Sequence, residues 1–85
     1  MSPLLQIIAL VRDGQWTEAH NQVQLYDSEA AAWLHALLHV QEGDLEDAEY
    51  WYGKAGRDFR NRAPFSEELD ALETYLCGDP APPWP

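Results

Sequence analysis

His35, His39 and Glu42 stand at i, i+4 and i+7, so on a helix they share one face. Two histidines one turn apart can chelate a divalent metal, and a carboxylate on the same face can supply a third donor. The zinc-protease pattern is missing, because Ala36 stands where a glutamate would follow the first histidine. The two rings can instead pack against Trp51 or Tyr52 or cap nearby carbonyls; contact with a bound peptide ranks after these. Packing is the expectation; no metal and no cofactor is assigned.

A second chemical group is basic. Lys54, Arg57, Arg60 and Arg62 fall within nine positions, opposed there only by Asp58. Such a cluster can grip an acidic peptide, a carboxyl terminus or a phosphate. The competing reading is that these bases pair with the chain's own acids, such as Glu67 and Glu68, and hold down a connector. Tyr50-Trp51-Tyr52 cannot all face inward from one helix. Trp51 and Tyr52 fall on a buried stripe with Ala48 and Ala55, which leaves Tyr50 to one side, either as an exposed interface anchor or, on the periodicity, as a further part of the repeat core.

Nucleophilic chemistry finds little support. Cys77 has no base beside it and reads as a small buried hydrophobe. Serine occurs only at Ser2, Ser28 and Ser66, all suited to capping helices, and no glycine loop is built to cradle phosphate. No catalytic residue is assigned, and the chain is not expected to be an enzyme.

The elements that must hold these groups are helices. Ser2-Pro3 opens the first, with Leu4, Leu5, Ile7, Ile8 and Val11 as its apolar stripe. Gly14 stops it. A second runs from Thr17, with Trp16, Ala19, Val23 and Tyr26 facing inward. The third, about Glu29 to Glu42, is apolar nearly all round and therefore expected between neighbours. Gly43 ends it, and Asp44 caps a fourth helix whose first turns carry Glu46, Asp47 and Glu49. Residues 57–64 form a connector. Ser66 is expected to cap a fifth helix buried through Phe65, Leu69, Leu72 and Leu76 and ended by Gly78. No segment alternates like a strand. A single domain over 1–79 is expected, followed by a proline-rich tail over 80–85 whose Pro82-Pro83-Trp84 is expected to be disordered.

The chain also repeats itself. Gly14-Gln15-Trp16-Thr17-Glu18-Ala19 parallels Gly43-Asp44-Leu45-Glu46-Asp47-Ala48, a step of twenty-nine residues. A fixed step of this size indicates stacked helix pairs. Gly permits the tight turn, the large residue two places on plugs it, and the Ala five places on lets the two helices approach. Residues 42–55 resemble the tetratricopeptide repeat through Gly43, Leu45, Ala48, Tyr52 and Ala55. The first unit is similar through Gly14, Trp16, Ala19 and Val23, with Tyr26 where alanine is usual. The step is shorter than that family's 34 residues, and neither unit ends in proline. A narrower likeness joins His39-Val40-Gln41-Glu42-Gly43-Asp44, Tyr50-Trp51-Tyr52 and Ala55-Gly56 to a signature in a group of short, poorly characterised bacterial proteins; it implies no activity. The tetratricopeptide resemblance implies a right-handed all-α superhelix of two antiparallel helix pairs plus a capping fifth helix. It also implies protein or peptide binding along a concave surface.

Composition narrows the partners. The 85 residues carry 15 acids against 5 bases, a net charge of -10. That charge repels nucleic acid and anionic membranes and steers basic partners inward. One cysteine excludes an internal disulfide and a multi-cysteine zinc site. No basic leader or cleavage site follows Met1, so a signal peptide is not expected and a cytoplasmic protein is. The expected function is a protein-interaction or adaptor role at His35, His39, Tyr50, Lys54, Arg57 and Arg60, on a concave face lined by the first and third helices. The alternatives are a small metal- or ligand-binding domain at His35, His39 and Glu42, and a structural module without its own activity. Two repeats make a short stack, so a homodimer that covers the open ends is expected as well.

Overall fold

The computed structural model describes residues 2–77. The chain forms α1 (Pro3–Arg12), α2 (Trp16–Val23), α3 (Glu29–Glu42), α4 (Leu45–Lys54) and α5 (Phe65–Leu76), with no strand among the described residues. Among these residues no helix is long and apolar enough to cross a membrane. The tail over 80–85 and the Gly78 stop lie outside the described residues.

α3 is the spine. Every residue from Ala30 to His39 is buried, and all four other helices pack on it. Its sequence makes this possible, because Ala30, Ala31, Ala32 and Ala36 let neighbours approach while Leu34, Leu37 and Leu38 fill the interior. Ser28 caps it by accepting from the Ala31 amide at 3.1 Å, as Ser2 caps α1 by accepting from the Leu4 amide at 3.2 Å.

The two repeated turns are built alike. Gly14 and Gly43 both hold positive φ, 79° and 89°. After each, the next amide reaches back to a carbonyl five residues earlier: Gln15 to Leu10 and Asp44 to His39, both at 2.9 Å. This pair of bonds satisfies carbonyls that the helix end would otherwise strand. Three and two residues of connection then fold α2 back on α1 and α4 back on α3. Ala19 and Ala48 are both completely buried, as equivalent close-approach positions require.

Several details depart from the sequence reading. Leu45 is 47% exposed, so only Trp16 covers its turn. α2 stops at Val23, and Tyr26 lies beyond it with 41% exposure, because helical spacing no longer dictates its direction. Asp44 occupies the cap position of α4 without a side-chain capping bond. α5 begins one residue before Ser66, with Pro64 at the cap position, so Ser66 is an exposed first-turn residue. Cys77 follows α5 on its outer side and is exposed.

α5 lies against α3 and α1. Arg12 on α1 meets Asp70 and Glu73 on α5, both at 2.9 Å, in a solvent-exposed pairing that contributes under about 1 kcal/mol. The stronger tie is buried. Glu68 accepts from the Tyr52 hydroxyl at 2.7 Å, the Trp33 indole at 3.0 Å and the Ala63 amide at 3.2 Å, joining α4, α3 and the connector to α5. Burial, reinforced by this hydrogen bond, pushes the Tyr52 phenol above its ordinary range.

Candidate functional site

α3 turns His35 and His39 away from α5, toward α2 and α4. The expected concave face shared by the first and third helices is therefore not where these rings sit; α5 packs on that pair of helices. The third member of the cluster is His20, the residue after Ala19 at the close approach of α2, and the sequence reading passed over it. Glu42, expected as the third donor, is exposed at the end of α3.

The three rings pack as one aromatic group. His35 stacks on Trp51 of α4 with centroids 4.0 Å apart, as the packing reading expected. His39 stacks on His35 at 5.0 Å. His20 meets both edge-on, at 4.8 and 5.2 Å, and lies flat against Trp16 at 4.7 Å. Trp16 is itself pinned, its indole donating to the Leu38 carbonyl at 2.7 Å.

Polar satisfaction inside the group is incomplete. The Nε2 atoms of His20 and His35 are 3.1 Å apart, so one ring donates and the other accepts. Burial holds the His35 imidazole down to about 4, with the neighbouring rings of His20 and His39 adding to the effect. Burial lowers His20 as well; His39 adds to this and Glu42 opposes it. His35 and His39 are 7% and 8% exposed. The His39 Nδ1 is buried and has no hydrogen-bond partner; the nearest carboxylate oxygens, on Glu42 and Asp44, are 3.8 and 3.9 Å away. Those distances are too long for hydrogen bonds.

His35 and Trp51 also form one wall of a cavity of about 520 Å³ between the α2–α3 connection and α4. Ala31 and Ala32 of α3 line it, with Tyr26 and Lys54. Exposed Tyr50 stands beside it, edge-on to Trp51 at 5.2 Å and within 5.8 Å of the Lys54 amine. The split of Tyr50 outward and Tyr52 inward follows the expected helical stripe.

The basic cluster is not one surface. Among the described residues, Lys54, Arg57, Arg60 and Arg62 form no salt bridge, so self-pairing with Glu67 or Glu68 does not occur. Arg57 instead lies over Trp33 at 3.6 Å, beside a separate cavity of about 220 Å³. Arg62 lies over Phe59 at 4.1 Å and donates to its carbonyl. Arg60 is exposed in the connector, its amide bonded to Asp58. Of the expected partner-binding residues, His35 and Lys54 line that cavity and Tyr50 stands against Trp51 beside it, His39 stacks on His35, and Arg57 and Arg60 line no part of it.

Compared with known protein families, curated proteins and solved structures, the chain matches none.

Proposed function

We propose that the chain is a small protein-interaction module that receives a peptide segment of a partner in the cavity between the α2–α3 connection and α4. The observation that carries the reading is that cavity's lining: Tyr26 and Trp51 as aromatic walls, Ala31 and Ala32 as a small-residue floor, and Lys54 at the rim. Its volume of about 520 Å³ falls in the range of ligand sites. Leu25, Tyr26 and Tyr50 are 75%, 41% and 57% exposed around this region. Aromatic residues with partly wet polar tips are favoured interface anchors. Lys54 selects for an acidic residue in the bound segment against the chain's overall negative charge. The function is binding and involves no catalytic step.

The test is to select peptides from a random display library on the immobilised chain and measure their affinities by fluorescence anisotropy. Binding that weakens about tenfold or more in Tyr26→Ser and Lys54→Glu supports the groove, since such a loss is the size of one anchor contact. Peptides that bind both variants as well as the parent would place recognition elsewhere. Sedimentation velocity covers the remaining occupant: a dimeric mass abolished by Tyr50→Ser would assign this surface to self-association instead.

A further inference from the structure

We propose that His20, His35 and His39 form a three-imidazole site for a divalent transition-metal ion of the zinc–copper class. The site adjoins the peptide groove, whose wall includes His35, and it takes His20 as third donor where the sequence-based alternative had Glu42.

The distances fit coordination. One ring nitrogen from each histidine lies within 4.8 Å of those of the other two. A tetrahedral ion with bonds of about 2.0–2.1 Å sets its ligand nitrogens about 3.3 Å apart. The Nε2 atoms of His20 and His35 already stand at 3.1 Å. The His39 nitrogen lies within 4.8 Å of both, a gap that side-chain rotation has to narrow on binding. Trp16 and Trp51 flank His20 and His35 and restrict their rings, which lowers the entropy cost of holding an ion.

A second observation is independent of those distances. His39 is 8% exposed, and its Nδ1 is buried without a hydrogen-bond partner. Leaving such a group unpaired is unfavourable, because its desolvation is not offset by a hydrogen bond. A histidine that binds a metal through Nε2 commonly presents its Nδ1–H to a carboxylate, which fixes the tautomer. Glu42 and Asp44 stand on that side of His39, at 3.8 and 3.9 Å. The arrangement thus has three nitrogen donors, with two carboxylates just beyond hydrogen-bond reach of one of them. Three neutral imidazoles select zinc, copper or nickel over magnesium and calcium, which require oxygen ligands. The net charge of -10 raises the local concentration of any divalent cation.

The experiment is calorimetric titration of the full untagged chain, stripped with chelator, with zinc chloride, and with magnesium chloride as control. The visible spectrum of the cobalt(II) form reports donor number. The expected result is one zinc per chain with micromolar or tighter affinity, no magnesium binding at that site, and cobalt bands of low coordination number. His20→Ala and His39→Gln each weaken zinc by about tenfold or more, while exposed Glu46→Gln leaves it unchanged. Far-ultraviolet circular dichroism checks the fold. His20, at the half-buried edge of the group, is the variant expected to remain folded. Absence of one-to-one zinc binding overturns the proposal. So does zinc binding that survives His20→Ala and falls instead with Glu46→Gln, which would mark ordinary surface carboxylates.

Discussion

Replacing Glu68 by alanine removes the one acceptor shared by three elements. The Tyr52 hydroxyl and the Trp33 indole lose their only partner among the described residues, and the Ala63 amide loses a weaker one. Tyr52 is 1% exposed and Trp33 5%. A desolvated donor left unpaired costs about 1–3 kcal/mol. A cavity of about 310 Å³ borders Tyr52 and Glu68, so water reaches part of this network and the lower half of that range applies. Two stranded side-chain donors then give about 2–4 kcal/mol. A domain of 85 residues has about 4–13 kcal/mol in total. At about 4–8 °C per kcal/mol, the melting temperature falls by roughly 8–32 °C. Urea unfolding followed by tryptophan fluorescence measures the loss. Glu68→Gln keeps an acceptor oxygen and is expected to lose about 1 kcal/mol, and exposed Glu67→Ala to change stability by no more than that. A Glu68→Ala chain as stable as Glu67→Ala would refute the reasoning, because the buried network would then contribute nothing.

Two further perturbations follow from the same geometry. Gly43→Ala adds a methyl group that meets nothing within 4 Å, so its cost is the left-handed backbone alone, about 1–2 kcal/mol in the same unfolding assay. Stability of the chelated protein is expected to fall with acid. His35 is held near 4, below its ordinary 6.5, so both states are neutral above pH 6.5. Below that the unfolded chain takes up the proton first, at up to 1.4 kcal/mol per pH unit, and the loss reaches on the order of 2–3 kcal/mol near pH 4. His35→Gln flattens this part of the pH profile relative to the parent chain.

Local backbone chemistry made much of the fold legible. Positive φ at Gly14 and Gly43 is a demand glycine meets by itself, so both turns were visible as residues. Ser28 and Gly43 bound α3 where its apolar run begins and ends. Directions beyond helix ends were not legible. Tyr26 and Cys77 follow the last helical residue, where spacing ceases to point a side chain inward. Ser66 has the residue type of a cap but not the place of one, because Pro64 already preorganises the start of α5. Leu45 shows that repeated residue types need not share an environment, since Trp16 has an indole to pin on Leu38 and Leu45 has no such anchor. The candidate site was half legible. His35 and His39 declared themselves by helical spacing on one element. His20 is fifteen residues from His35 and joins it only because α2 folds against α3. The signal was its place directly after Ala19, where the repeat brings two helices together.

The central arrangement is a single packed group of three imidazoles brought together by α2 and α3, with His35 against Trp51. Proton–nitrogen correlation spectra of the imidazoles across a pH titration of the chelated chain test it most directly. The account predicts ring-to-ring Overhauser contacts between His20 and His35, upfield shifts at His35 from the Trp51 face, and a His35 midpoint near 4. A His35 ring that titrates around 6.5 and shows no contact with His20 would contradict it.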